Sequence, residues 1–145
     1  MLSFYLILNL ITSLMMAGIV WFMQVVQFPL FTTVRPRNFL GYGTHFKFLT
    51  AYIMAPMFLL EAIGALGLAI KFYGHHNGLL IGNLVLFAIA WGATLLYTLP
   101  IQNKLTERYV PARIRSLIHY NWVRTLAWSG KGAVAVLLVI KYLQY

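Results

Sequence analysis

The sequence predicts an all-α integral membrane protein, built as one bundle of four transmembrane helices. Apolar residues make up 61% of the chain and charged residues only 9%, which is far from the average of soluble domains. Four apolar runs also reach the length of about 20 residues that a helix needs to cross a hydrocarbon core. The predicted helices cover approximately residues 2–28, 46–72, 79–101 and 111–143. In 145 residues they leave room for a single domain and short connections.

The ends of these helices have local causes. The first run is predicted to be a retained helix, because no basic residue precedes it and it lacks a small-residue cleavage site. Pro29 disfavours helical geometry at Phe28 and ends that run. Pro56 predicts a kink in the second helix, and Pro111 suits the first turn of the fourth. A sheet is excluded, since none of the runs alternates with period two and open strands leave backbone groups unpaired in lipid.

Basic residues predict the orientation in the membrane. The chain has eleven Lys and Arg residues against two acidic ones. The residues on or beside the first and third connections are Arg35, Arg37, Lys47, Lys104, Arg108, Arg113, Arg115 and Arg124. The positive-inside rule therefore predicts cytoplasmic first and third connections and outer termini, in a cell membrane and most simply the bacterial inner membrane. Anionic lipid headgroups are the expected partners of these cations, so the net charge needs no nucleic acid to explain it.

Glu61 is one of the two acidic residues and lies inside an apolar run, where a charge is costly and usually functional. Lys131 is expected at a similar depth in the fourth helix, so the two side chains are predicted to form an intramembrane ion pair. Gly64 and Gly132, close to these residues, would let the second and fourth helices approach each other. The alternative is a protonated Glu61 with a Lys131 side chain that extends to the membrane surface.

Polar residues at helical spacing predict a buried cavity that opens to the cytoplasm. Asn121, Arg124, Trp128 and Lys131 recur every three or four residues and share one face of the fourth helix. The other polar candidates for its lining are Gln24, Gln27, Thr94 and Tyr97. The candidate catalytic residues are Glu61, His45 and Arg124. The alternative is an interhelical hydrogen-bond network that serves packing alone.

The histidines do not predict a metal centre. No His-x-x-x-His or Glu-x-x-His pair occurs, and His75 and His76 are neighbours in a turn. Cysteine is absent, which excludes disulfides and thiolate ligands. No metal, haem or other cofactor is therefore predicted. His45, close to the expected mouth of the cavity, is the histidine best placed to transfer a proton.

A dispersed pattern consists of the segment 21–31, His45, Pro56, Glu61 and the segment 121–128. It resembles a pattern in small bacterial four-helix membrane proteins, some of which look like the anthrone-oxygenase-like group. The resemblance implies oxidation of a hydrophobic aromatic compound without an obvious cofactor. It places Gln27, His45, Glu61, Asn121 and Arg124 near the substrate. Membrane glutathione-transferring enzymes have a similar size and basicity, but residues 113–124 do not reproduce their motif.

Three functions fit the sequence. An enzyme or binder of a lipid-soluble molecule best explains a polar cavity inside the membrane. An accessory subunit of a larger membrane-protein complex would explain the small size, the short connections and the glycine and alanine faces. A small transporter would act as a homo-oligomer, because the four helices show no internal repeat.

Overall fold

A computed structural model describes residues 2–73 and 77–143, so His75 and His76 lie outside the described residues. Within these two ranges the chain forms four long helices and no strand. The helices are α1 at Leu2–Thr33, α2 at Pro36–Lys71, α3 at Gly78–Glu107 and α4 at Pro111–Leu143. All four are long and apolar enough to cross a membrane, which confirms the predicted fold class.

Two helices extend well beyond the apolar runs that predicted them. The second helix starts at Pro36 and not near residue 46, and the third continues to Glu107 beyond residue 101. Arg35 has an extended backbone, with φ −60° and ψ 137°, and Pro36 then occupies the first helical turn, where its missing N–H costs no hydrogen bond. Hydropathy detects only the lipid-compatible part of a helix, so the polar ends of α2 and α3 escaped the prediction.

Both α1 and α3 contain one π-helical segment, and both segments precede a proline. They are Met23–Gln27, ahead of Pro29, and Thr94–Thr98, ahead of Pro100. A proline ring clashes with the carbonyl four residues earlier, and that carbonyl lies in the π-helical segment in both helices. The wider turn accommodates each proline. The prediction that the first helix ends at Phe28 was therefore wrong, because α1 continues past Pro29 and ends at Thr33.

The two connections on or beside which most of the basic residues lie are at the same end of the bundle. The Phe39 ring packs on both Phe31 and Tyr109, at centroid distances of 5.6 and 5.0 Å, which joins the α1–α2 and α3–α4 connections. At the other end, the rings of Phe72 and Tyr142 are 4.5 Å apart and join the end of α2 to the end of α4. We call these the basic end and the opposite end.

α4 packs along α1 and α3, and α2 packs along α1. In the described part of the chain α2 and α4 face each other diagonally, so they meet through long side chains, such as the rings of Phe58 and Trp128 at 6.2 Å, and not through close backbone approach. A Cβ on Gly64 would lie 3.1 Å from the backbone of Asn9, and one on Gly132 would lie 3.2 Å from Leu14. Both glycines therefore bring a neighbour against α1. The prediction that they bring α2 against α4 was wrong. The backbones of α2 and α4 stay apart, and the long side chains of Glu61 and Lys131 reach across the bundle to meet.

The interior is layered along the bundle axis. A small apolar cluster near the opposite end consists of Leu6, Leu68, Leu80 and Leu138. A larger apolar cluster extends toward the basic end and includes Met16, Met57, Ala90 and Trp128. Each helix passes from one cluster to the other through a short stretch that contains buried polar residues, and these residues form the first part of the site.

Candidate functional site

A cluster of five buried polar side chains lies between the two apolar clusters. All four helices contribute to it: Asn9 and Ser13 from α1, Glu61 from α2, Asn83 from α3 and Lys131 from α4. Each side chain is at most 1% exposed. We call this group the closed cluster, because its principal cation has all of its donors satisfied.

The ammonium group of Lys131 has three protons and three acceptors. Lys131 Nζ donates to Asn9 Oδ1 at 2.8 Å and to Ser13 Oγ at 2.9 Å, and it forms an ion pair with Glu61 Oε1. A lysine ammonium offers three donors and no acceptor, so this arrangement satisfies it completely. The predicted Glu61–Lys131 ion pair is therefore present, with the Lys131 side chain reaching across the diagonal of the bundle.

The remaining members of the closed cluster bind one another. Ser13 Oγ donates to Glu61 Oε1 at 3.2 Å, and the amides of Asn9 and Asn83 exchange hydrogen bonds of 3.3 and 3.4 Å. Among the described residues, Glu61 Oε2 has no hydrogen-bond partner. Sequence reasoning missed Asn9, Ser13 and Asn83. Their signal was a polar residue inside an apolar run and, for Asn9 and Ser13, a spacing of one helical turn.

The energetics of the closed cluster favour a structural role. A lone charge at the centre of a bilayer costs about 2.5–3.5 kcal/mol on insertion scales. Opposite charges in contact, with further hydrogen bonds to Lys131, reduce this cost and leave both groups dependent on each other. Because the cluster draws on every helix, it fixes the depth at which the helices meet. We assign it to holding the bundle together.

A second group of buried polar residues lies nearer the basic end and centres on Asn121. Asn121 Nδ2 donates to Gln24 Oε1 at 2.7 Å and to Thr125 Oγ1 at 3.3 Å. Gln24 Nε2 in turn donates to the backbone oxygen of Ile118 at 3.1 Å. These contacts join α1 to α4 close to the π-helical segment of α1. With Arg124, we call this group the open cluster.

Arg124 is 2% exposed and has no acidic partner among the described residues. Only two acidic residues occur in the chain: Glu61 is engaged by Lys131, and Glu107 is exposed at the end of α3. Arg124 Nη1 makes a long hydrogen bond of 3.4 Å to Asn121 Oδ1 and a contact of 4.0 Å to Met23 Sδ. Within residues 2–73 and 77–143, Arg124 Nε has no partner. A charged guanidinium with unused donors is thus buried in the bundle.

Arg124 lines a cavity of about 210 Å³ between α2 and α3. Thr94 and Thr98 of the π-helical segment form part of its wall on the α3 side, and Thr50 and Met54 form part of it on the α2 side. Its lining residues are Met23, Lys47, Thr50, Ala51, Met54, Ala55, Phe58, Thr94, Thr98, Leu99, Gln102 and Arg124.

A second, apolar recess of about 310 Å³ continues the same gap between α2 and α3. It shares Ala55, Phe58, Thr94 and Leu99 with the cavity and adds Leu59, Trp91 and Leu95. Along α2 and α3 these added residues lie farther from the basic end than Lys47 and Gln102 do. The gap therefore has polar groups toward the basic end and apolar groups toward the bilayer interior.

The remaining predicted site residues lie in different surroundings. Thr94 lines the cavity and donates to the backbone of Ala90, and Trp128 is fully buried, with its ring 6.2 Å from Phe58. Gln27 donates to the Tyr42 hydroxyl at 2.7 Å and lines a recess between α1 and α2. Tyr97 is 45% exposed and stacks on Tyr120, and His45 is exposed on α2.

The predicted polar residues thus do not form one group. Glu61 and Lys131 belong to the closed cluster, whereas Gln24, Asn121 and Arg124 belong to the open cluster nearer the basic end. In the residues that the structure describes, no three His, Asp or Glu side chains are grouped so that they could hold a metal ion.

No family model, no curated protein and no solved structure matches this chain.

Proposed function

We propose that this protein binds a hydrophobic small molecule inside the membrane, in the gap between α2 and α3. The observation that carries the proposal is the cavity of about 210 Å³ at Arg124, together with its apolar continuation of about 310 Å³. Small-molecule sites are typically concave and mostly apolar, with a few polar groups that orient the ligand. Thr50, Thr98 and Gln102 supply such groups at one end.

Binding is better supported than oxidation of an aromatic substrate. Of the residues that the resemblance would place near a substrate, Arg124 lines the cavity and Asn121 is hydrogen-bonded to Arg124. Glu61 is held by Lys131 in the closed cluster, and His45 is exposed. A cofactor-free oxidation would start with removal of a proton from the bound molecule, and among the described residues the cavity lining contains no histidine or carboxylate to accept it.

The proposal is tested by filling the gap. Ala55 is shared by the cavity and its apolar continuation, so Ala55→Phe places a ring where both parts meet. Native mass spectrometry of protein gently extracted from its own membrane should show a small apolar adduct on the wild type and loss of this adduct from Ala55→Phe. Added monoolein, a neutral single-chain lipid, should likewise bind only the wild type.

The matched control is Ala88→Phe on α3. Ala88 is exposed and lines neither part of the gap, so this variant should keep the adduct and bind monoolein as the wild type does. Equal binding by the wild type and Ala55→Phe would overturn the proposal. A defined set of heavier co-purifying chains with no small adduct would instead favour the accessory subunit.

A further inference from the structure

The gap between α2 and α3 contains a cation that the protein itself does not neutralise. Arg124 is 2% exposed, lines the cavity and lacks a carboxylate partner in the described part of the chain. A guanidinium stays charged under all ordinary conditions, so it cannot avoid this position by losing a proton. Resting on the function proposed above, we infer that the ligand is an anionic amphiphile, whose oxyanion headgroup binds Arg124 and whose apolar chain follows the gap.

The donors of Arg124 are arranged for an oxyanion. Among the described residues both contacts of the guanidinium use Nη1, to Asn121 Oδ1 and Met23 Sδ, and Nε has no partner. The edge formed by Nε and Nη2 therefore has N–H groups without an acceptor, although Nε itself is covered by the surrounding protein and that cover must move for a ligand to reach it. A guanidinium edge of this kind binds a carboxylate or phosphate through two hydrogen bonds, each stronger than a bond between neutral groups. Asn121 holds the opposite side of the guanidinium and so helps to orient it.

The other polar groups of the cavity agree with this headgroup. Lys47 also lines the cavity and is nearer the basic end than the other lining residues of α2. It therefore adds a second positive charge at that end of the cavity. Thr98 is buried in the same wall, and Gln102 borders the cavity one turn farther toward the basic end. An acidic lining residue would oppose an anion, and the lining contains none.

The size and polarity of the gap favour a single apolar chain. The cavity at Arg124 holds about 210 Å³, below the roughly 300–1,000 Å³ of sites that enclose a whole drug-sized ligand. It therefore suits a headgroup and the first carbons of a chain. The rest of the chain would lie in the apolar continuation between Leu59, Trp91 and Leu95. This orientation puts the charge toward the basic end, as for a lipid of that leaflet.

The test compares ligands that differ only in the headgroup. Wild-type protein in nanodiscs of zwitterionic phosphatidylcholine is titrated with radiolabelled oleyl phosphate, oleate and oleyl alcohol, which carry the same chain. We expect both anions to bind at least about tenfold more tightly than the alcohol, as for a charge-assisted pair of hydrogen bonds. Equal affinities for the anions and the alcohol would overturn the inference.

Substitution of the arginine provides a second readout. Arg124→Gln should reduce the preference for the anions over oleyl alcohol about tenfold and leave the affinity for the alcohol unchanged. Arg115→Gln is the matched control, since Arg115 is exposed on the same helix near the basic end, and it should keep the wild-type preference. A preference that survives in Arg124→Gln would assign the anion to another group and overturn the inference. If Arg124→Gln does not fold, the wild-type titration still decides.

The same experiment separates the two proposals and the two sources of ligand. If Ala55→Phe loses the alcohol as well as the anions, but the wild type does not prefer anions, only the headgroup inference fails. If Ala55→Phe changes nothing, the proposed site itself fails. Phosphatidylglycerol in the nanodiscs that displaces oleyl phosphate would assign the site to an anionic membrane lipid, with one of its two chains in the gap. Binding of oleyl phosphate that phosphatidylglycerol does not displace would assign the site to a free single-chain acid or phosphate, and both results support the anionic class.

Discussion

α4 carries two buried cations on one face, two helical turns apart, and their surroundings differ. Lys131 has an acceptor for each of its three protons, one of them the Glu61 carboxylate. Within the described parts of the chain, Arg124 has one long hydrogen bond, a sulfur contact and an unpartnered Nε, and it borders a cavity. Similar burial therefore has two meanings: a cation that the protein satisfies completely stabilises the bundle, and a cation with unused donors is available to a ligand.

Packing follows the same division. Around Lys131, Gly64 allows α2 to touch the backbone of α1, and the two apolar clusters enclose the polar group. Around Arg124, the π-helical segment Thr94–Thr98 accompanies a gap between α2 and α3. π-helical segments often occur at functional sites because they displace side chains from the regular helical positions. The closed cluster is thus enclosed by packed apolar side chains, whereas the open cluster borders a cavity that a ligand could enter.

The largest expected effect is that of Lys131→Met. This substitution leaves the Glu61 carboxylate buried without its cation, so we expect a loss of about 3–5 kcal/mol in the free energy of unfolding. The measurement is unfolding by SDS in mixed micelles. In Glu61→Gln/Lys131→Met both charges are absent, so the double variant should be no less stable than either single variant. Additive losses would contradict the ion pair.

Gly64→Ala tests the close packing of α1 against α2 beside the closed cluster. The new Cβ would meet rigid backbone of Asn9 at 3.1 Å, so α1 and α2 must separate, and we expect a loss of about 1–3 kcal/mol in the same assay. Gly82→Ala is the control, because among the described residues nothing lies within 4 Å of its new Cβ. That variant should be as stable as the wild type. Equal losses in the two variants would refute the packing argument.

Asn121→Ala tests how much the open cluster contributes to stability. It removes the hydrogen bond of 2.7 Å from Asn121 Nδ2 to Gln24 Oε1. We expect the free energy of unfolding to fall by about 0.6–1.7 kcal/mol, the range for hydrogen bonds between membrane helices. Asn103→Ala, at an exposed position of α3, should show no loss under the same SDS titration. A loss as large as that of Lys131→Met would mean that both clusters hold the bundle together.

Arg124→Met should have the smallest effect on stability and therefore tests the comparison most directly. It removes a long hydrogen bond but also removes a buried charge that is paired with no carboxylate of residues 2–73 and 77–143. We expect the free energy of unfolding of the ligand-free protein to change by less than about 1 kcal/mol. If Arg124→Met were as damaging as Lys131→Met, Arg124 would be a structural cation and the proposed headgroup site would lose its basis.

The pairing of Glu61 with Lys131 was predictable because each is a charge in an apolar run and each run has a centre that can be estimated from its length. The other members of the closed cluster, Asn9, Ser13 and Asn83, were missed. Neutral polar residues are common in membrane helices, so their presence does not indicate which residues lie at the same depth. The separation of Arg124 from Glu61 into two clusters was also missed. The polar face of the fourth helix was treated as one site, although Arg124 and Lys131 are seven residues apart, which is roughly 10 Å along the helix axis.

The sequence by itself determined the four apolar helices, the excess of positive charge on two connections and the small number of charges that enter the apolar runs. These are properties of local composition, so they follow from the hydropathy and charge of each segment without knowledge of its neighbours. The tertiary structure alone decided which helices touch, that α2 and α4 face each other diagonally, and that a gap lies beside the π-helical segment of α3. In lipid, apolar faces do not distinguish one neighbour from another, so small residues, polar contacts and the shape of each helix select the arrangement.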